Sequence, residues 1–401
     1  MPTSRSLSNL QWRSPQVSYL RTGIVGTSRK EHESRVAIHP QHLAAIPEAL
    51  RANLVFEEGY GNRFGVGDDR LRELGVALAS RAEILGSSDV VILPKPMAED
   101  LREMKTGGIL WGWPHCVQQQ EVAGIAIDRR LTLIAFEAMH LWGRDGDRQV
   151  HTFYKNNELA GYSGVLHALE LAGRDGSYGP PRRTAVLGFG SVSRGAIYAL
   201  QGRGFCDISV FTQRPPHLVR DQILGCRHRQ MRRSAGTDGP MTTVTEDGRE
   251  VLLTDELATA DLLVNGTLQD TDHPLMFLQP GDEERLRPDS LIIDVSCDLE
   301  MGFPFARPTS FAEPTFRVGG QEGAVYYAVD HIPTYLWDSA SWEISVALLP
   351  YLEAIMSGPE AWEAEPSIAR AIEIREGVIQ NSKILSFQHR AAEFPHSVQV
   401  L

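Results

Sequence analysis

Three side chains able to bind or protonate a small acid stand where short apolar runs end. Lys95 follows Val90–Leu93 in the frame Pro94-Lys95-Pro96, His115 follows Gly108–Trp111 in Trp113-Pro114-His115, and Arg35 follows Arg21–Gly26 in Glu33-Ser34-Arg35-Val36. The two prolines fix the backbone on either side of the lysine. Acids complete the set: Glu137 ends Leu131–Phe136, and Asp294 and Asp298 end Leu291–Ile293. Arginine and lysine suit a bound carboxylate, and histidine suits proton transfer near neutral pH. Singly, a lysine between prolines reads as a surface turn and a histidine after Trp-Pro as a packed polar tip. Their convergence at strand ends, where open α/β sheets carry their active residues, marks a site.

A second pattern lies in the middle of the chain. Arg183-Thr-Ala-Val-Leu187 reads as a strand, Gly188-Phe189-Gly190 as a tight turn, and Ser191-Val192-Ser193-Arg194-Gly195 as a helix start. This is the dinucleotide fingerprint, with Ser193 at the third glycine position. Its bare backbone lets a pyrophosphate approach a helix N-terminus. After the next strand, Asp207–Phe211, an NAD site carries Asp or Glu for the ribose hydroxyls. Here the chain reads Thr212-Gln213-Arg214. A hydroxyl and a guanidinium attract a 2′-phosphate that an acid would repel, so the expected cofactor is NADPH.

These groups need a sheet to hold them. Strands are expected at Arg21–Gly26, Leu54–Glu57, Val90–Leu93, Gly108–Trp111 and Leu131–Phe136, with helices at Gln41–Arg51 and Asp68–Glu73. The spacing of Leu159, Tyr162, Val165, Leu166 and Leu169 predicts a long helix over Phe153–Ala172. Beyond the glycine loop, strands are expected at Asp261–Asn265 and Ser290–Ser296, with a hairpin or loose loops over Arg227–Glu250. An apolar-faced helix over Ser339–Met356 and a charged one from Pro366 to about Gln388 close the chain. Alternation of strand and helix implies α/β architecture with two Rossmann-like domains and parallel sheets. The expected division inserts a cofactor domain, 153–302, into a catalytic domain split between 19–152 and 303–401. Residues 1–18 read as a loose arm.

Composition narrows the function. The 401 residues are 42% hydrophobic and 22% charged, as in a globular protein. Asp and Glu outnumber Lys and Arg by 51 to 39, a formal net charge of −12, which argues against a nucleic acid or an anionic membrane as partner. Cys116, Cys206, Cys226 and Cys297 form no C-x-x-C pair, so neither a disulfide framework nor a metal site is expected. No secretory leader and no bilayer-spanning run is read, and a cytoplasmic location is expected. Spacing and composition alone therefore give a nucleotide-dependent α/β enzyme with a cationic substrate pocket.

The segment Gly26-Thr-Ser-Arg-Lys-Glu-His-Glu-Ser-Arg35-Val-Ala-Ile-His-Pro40 resembles the opening of alanine dehydrogenases and of the soluble transhydrogenase domain. The surroundings of Lys95 and His115, the glycine loop, Asp294 to Asp298 and Val329-Asp330-His331-Ile332-Pro333 resemble them too, so the likeness runs from about Arg21 to Leu352. Within that superfamily Phe153–Tyr162, Phe211–Pro215, and Val329–Pro333 with Ser341-Trp-Glu-Ile-Ser345 look most similar to N5-(carboxyethyl)ornithine synthases, and more distantly to lysine-forming saccharopine dehydrogenases. Alanine dehydrogenases carry an Asp where Thr212 stands and an Asn where His331 stands.

The resemblance implies NADPH-dependent reductive condensation of a 2-oxo acid, pyruvate foremost, with an ornithine- or lysine-like amino acid through an imine. It further implies roles. Arg35 and Lys95 hold the oxo acid's carboxylate; His115 is general acid and base; Glu137 lines the substrate site. Asp298 stands near the nicotinamide and the amine, and His331 closes the site. Gly188, Gly190, Ser191 and Ser193 cradle the pyrophosphate, Thr212 and Arg214 take the 2′-phosphate, and Asn265-Gly266-Thr267 line the nicotinamide ribose. A homo-oligomer is implied as well. An ammonia-using amino-acid dehydrogenase, a transhydrogenase-like nucleotide-binding subunit and a non-catalytic nucleotide-binding scaffold stay open as alternatives.

Overall fold

A computed structural model describes residues 18–233, 239–245 and 247–399. The loose arm expected over 1–18 therefore lies outside the described residues, Ser18 excepted, as does part of the 227–250 stretch. Among the described residues the chain builds two large sheets, mostly parallel, each at the centre of its own domain.

The first sheet has eight strands in the order Val378–Ile379, Ile372–Arg375, Thr132–Ala135, Ile109–Gly112, Val90–Leu93, Thr22–Ile24, Leu54–Glu57 and Ala77–Ala79. Pairing is parallel from Thr132–Ala135 to Ala77–Ala79, and the two C-terminal strands add antiparallel at one edge. The apolar runs are continuous because both faces are covered. Ile92, Trp111 and Ile134 face one core; Val91, Leu110 and Leu133 face the other. Helix Trp337–Ser357 covers the first face with Ile344, Leu348, Leu352 and Ile355, one stripe at helical spacing. Helices Arg81–Ser87, Ala98–Glu103 and Gln120–Asp128 cover the second.

The second sheet has nine strands, with Arg183–Leu187, Asp207–Thr212, Leu262–Asn265 and Leu291–Asp294 at its centre in the order Asp207, Arg183, Leu262, Leu291. Helices Tyr154–Leu171 and Ser191–Gly202 pack on its Val186, Val210, Val264 and Ile293 face.

Three expectations are corrected. Strands Thr315–Val318 and Ala324–Tyr327 extend the second sheet, so 303–327 do not join the catalytic domain as 303–401 had been assigned. Only the later C-terminal elements return to the first sheet. The charged helix from Pro366 to Gln388 is instead a short helix, Pro366–Ala369, a hairpin turning at Gly377 (φ 83°), and a helix Ser382–Phe387. Alternation of Ile372 and Ile374 with polar residues suits a strand, and the glycine takes the left-handed conformation the turn needs. The helix expected over Gln41–Arg51 is broken at Pro47 into a 3-10 turn, Pro40–Ala45, and one turn of α-helix, Glu48–Arg51.

Candidate active site

The carboxyl ends of the first sheet bring Lys95, His115 and Glu137 together. Lys95 Nζ stands 2.9 Å from His115 Nε2, and the His115 backbone N–H donates to Glu137 Oε1 at 2.7 Å. An ammonium can only donate, so Nε2 accepts and the ring proton sits on Nδ1, 3.7 Å from Glu137 Oε1. His115 adopts a left-handed backbone (φ 47°), which the Glu137 hydrogen bond helps to hold.

Their electrostatics are coupled. Burial, then the neighbouring Lys95 charge, pushes His115 down to about 3. Lys95 is itself lowered by burial, with Asp330 pulling it back up. Burial and then the charge of Glu373 push Glu137 up to about 8, so at neutral pH it is predominantly protonated; its Oε2 is buried without a partner. The site thus holds a neutral imidazole beside a lysine, with a neutral carboxyl behind it.

Arg35 is 5% exposed and already engaged. Its Nε and Nη2 grip Glu33, with Nε···Oε1 at 2.9 Å, and Nη1 donates to Asn156 at 3.2 Å. Of the five guanidinium N–H groups, three are used. Burial works against the Glu33 carboxylate, yet Arg35 holds it below its ordinary range. Glu33 is not among the groups expected from the sequence; its contacts with the Arg35 guanidinium and backbone reveal its role.

Asp330 was passed over too. It binds Lys30 Nζ at 2.8 Å, and although burial opposes ionisation, Lys95, His331 and Lys30 keep its carboxyl well below the usual range. His331 (φ 48°) stands 3.4 Å from Asp330 through Nδ1 and 2.8 Å from the Glu31 carbonyl oxygen through Nε2. It therefore ties the segment after the second sheet to the loop that carries Arg35. Asp298 is partly exposed, makes no side-chain hydrogen bond among the described residues, and is pushed up to about 6 by burial. Its neighbour Cys297 interacts electrostatically with Asp330 and Lys95, so this loop looks onto the lysine end of the first-domain cluster.

Gly188 is left-handed (φ 86°), and a Cβ there would stand 3.2 Å from Ser193 Oγ and Thr267 Oγ1. Gly190 caps the helix Ser191–Gly202 and has open space where a Cβ would stand. Thr267 Oγ1 is buried and has no partner. Bare backbone, an open helix N-terminus and an unmatched hydroxyl fit a pyrophosphate-linked dinucleotide. Ser193 is buried, its hydroxyl on the Leu187 carbonyl at 3.2 Å. Ser193 thus makes the close helix–strand approach of the third position, and a separate helix–helix approach falls to Gly161 and Gly195. A Cβ on either would fall 1.8 Å from the facing helix's backbone oxygen. Asn265 and Gly266 lie beside Ser193, where a Cβ on Gly266 would stand 2.6 Å from Ser193 Oγ. Thr212 is buried and donates to the Arg214 carbonyl at 2.9 Å, while the Arg214 guanidinium is exposed and makes no ion pair among the described residues.

A buried charged cluster on one sheet and a glycine loop on the other define a two-domain α/β protein of Rossmann-like build. The chain belongs to the alanine dehydrogenase/PNT family: residues 24–160 match its N-terminal domain and 180–382 its C-terminal domain. It is 25% identical over 326 residues to N(5)-(carboxyethyl)ornithine synthase of Clostridium botulinum, covering 79% of this chain and 89% of the relative. It is 21% identical over 381 residues to alanine dehydrogenase of Mycobacterium tuberculosis, covering 91% and 96%. Among solved structures, an L-alanine dehydrogenase superposes with a TM-score of 0.70 at 20% identity over 91% of this chain and 98% of its own. The transhydrogenase from Sinorhizobium meliloti superposes with a TM-score of 0.67 at 17% identity over 90% and 98%. Among the described residues no helix is long and apolar enough to cross a membrane, and no group of three or more His, Cys, Asp or Glu could hold a metal ion.

Proposed function

We propose that this protein is an NADP-dependent oxidoreductase that condenses a 2-oxo acid, pyruvate foremost, with the amino group of an ornithine- or lysine-like amino acid and reduces the imine. The carrying observation is the Lys95–His115 contact at 2.9 Å, with the Arg35 charge acting on both groups, in a chain whose glycine loop is followed by a strand ending in Thr212 instead of an acid. The relative named N(5)-(carboxyethyl)ornithine synthase supports the condensation.

Lys95 and the two unused N–H groups of Arg35 hold the oxo acid's carboxylate. That anion lies beside His115 and raises the imidazole from its depressed value, because an opposite charge favours the protonated form. After the amine adds to the carbonyl carbon, His115 gives a proton to the carbinolamine hydroxyl, which leaves as water while the nitrogen lone pair forms the C=N bond, and Glu137 keeps the ring oriented. Asp298, without a side-chain hydrogen bond among the described residues and pushed up to about 6, receives the incoming amine. Bound NADPH supplies the hydride to the electron-poor imine carbon. Fixing the oxo acid at one end places that carbon, which can supply several kcal/mol of the barrier.

The test is a screen of 2-oxo acids against amines, following NADPH absorbance and product mass. Turnover that needs a second amino acid and yields a secondary amine is the expected result. A second reading, an amino-acid dehydrogenase that uses ammonia, is favoured by the alanine dehydrogenase relatives. Robust turnover with pyruvate and ammonia alone would select it and sink the condensation.

A further inference from the structure

Asp294 is 0% exposed at the end of the strand Leu291–Asp294. Its Oδ1 accepts from Asn265 Nδ2 at 3.0 Å and from the Ser296 backbone N–H at 3.1 Å, with the Cys297 N–H more distant at 3.4 Å. Its Oδ2 accepts the Tyr326 hydroxyl at 2.8 Å. Every neighbour donates, which is the environment of a carboxylate and not of a carboxylic acid.

The consequences run in two directions. Donation by Asn265 Nδ2 turns the amide so that its Oδ1 accepts the Thr267 N–H at 3.2 Å. The Ser296 hydroxyl closes the link by donating to the Thr267 carbonyl at 2.7 Å. Thr267 is thereby set against Gly188 with its Oγ1 buried and unmatched. On the other side the same carboxylate turns the loop that ends in Asp298. One buried group thus fixes both the threonine that borders the glycine loop and the loop that carries Asp298.

We infer that Asp294 is the positioning residue of the cofactor half-site: as an anion it holds Thr267 and Asp298 in place for the dinucleotide, and its protonation loosens both. This rests on the proposed reading that the glycine loop takes a nicotinamide dinucleotide. Protonation would force Tyr326 to reverse its hydroxyl and would weaken the three bonds to Oδ1, because hydrogen bonds to a charged acceptor are the stronger kind. Burial pushes the Asp294 carboxyl up to about 7, while the bonds from Tyr326 and Cys297 hold it back, so the switch falls near neutral pH. The groups facing it are Asp298 and the Cys297 thiol on its own loop and Tyr326 on the neighbouring strand; Asn265, on the other side, is neutral.

The experiment measures NADPH and NADH affinity by fluorescence between pH ~5.5 and ~9 for the wild type, Asp294→Asn and Tyr326→Phe, with a thermal melt of each. NADH lacks the 2′-phosphate, whose own titration near pH ~6 would otherwise overlap. In the wild type, affinity falls several-fold as pH drops through about 7. Asp294→Asn mimics the protonated state, binding weakly with no slope over that range. Tyr326→Phe removes a donor to the anion and moves the midpoint upward by ~1 pH unit, which a merely structural role would not do. A wild type that binds while Asp294→Asn keeps its affinity and slope overturns the inference alone. If Asp294→Asn fails to fold, an unmoved midpoint in Tyr326→Phe overturns it. A wild type that binds neither nucleotide overturns the functional reading and this inference together.

Discussion

At the carboxyl ends of the first sheet the charged groups are side chains that hold one another: Lys95 leans on His115, Arg35 grips Glu33, and Lys30 reaches Asp330 in the segment after the second sheet. On the second sheet the glycine loop offers backbone and empty space, and the side chains that matter, Asp294 and Asn265, lie beneath it. The first cluster is buried and charged, so His115 is pushed down to about 3 and Glu137 up to about 8. The second offers bare backbone, so what counts at its surface is the space a Cβ would fill. A substitution should therefore act through chemistry in one region and through fit in the other.

The sharpest way to break this contrast is to remove the proton-transfer pair. Lys95→Met and His115→Asn should each lower reductive turnover by about 10²- to 10⁴-fold, with NADPH affinity within about twofold of wild type. Loss of nucleotide binding in either variant would mean that the two regions are not separable.

Glu33→Gln leaves the buried Arg35 charge without its counter-ion and should cost about 3–5 kcal/mol in urea unfolding at neutral pH. The sign with pH follows from the shift. Glu33 titrates lower in the folded chain than when unfolded, so its contribution is full above the unfolded value and is lost as pH falls through the folded one. Wild type and variant should converge in acid; a gap that widened there would contradict this.

The second region is sharpened by two glycines of opposite kind. Gly195→Ala puts a Cβ 1.8 Å from the Glu158 carbonyl oxygen and should destabilise by about 1–3 kcal/mol through forced helix separation. Gly190→Ala meets no atom within 4 Å, should cost at most about 1 kcal/mol, and should weaken NADPH by obstructing the pyrophosphate. Equal melting losses in the two would remove the distinction. The smallest effect is reserved for specificity. Arg214→Ala should narrow the preference for NADPH over NADH by about tenfold, roughly the worth of one charge-assisted hydrogen bond. Equal affinities in the wild type would remove the role given to Thr212 and Arg214.

Much of the fold could be read in advance because parallel strands buried on both faces leave continuous apolar runs, as in Val90–Leu93 and Leu262–Asn265. The C-terminal hairpin escaped because Pro366–Gln388 mixes charged and apolar residues at spacings that also suit a helix; its turn at Gly377 was the available signal. Strands Thr315–Val318 and Ala324–Tyr327 were hidden among prolines and glycines. In the site, residues standing directly after strands were found, whereas Glu33, Asp330 and Asn156 were missed. Their roles depend on partners far away in the chain, as when Asn156 reaches Arg35.

By itself the sequence determined the layered α/β plan, the glycine loop and the side chains at the strand ends, because each depends on local pattern: continuous apolar runs, a turn that favours glycine, a residue following a strand. Only the tertiary structure decided how those side chains are spent. It set Glu33 against Arg35 and gave the close helix contact to Gly161 and Gly195. It also placed Asp294 beneath the cofactor loop, among donors from separate strands. Burial and long-range pairing set these charges and contacts, and neither is written in the order of neighbouring residues.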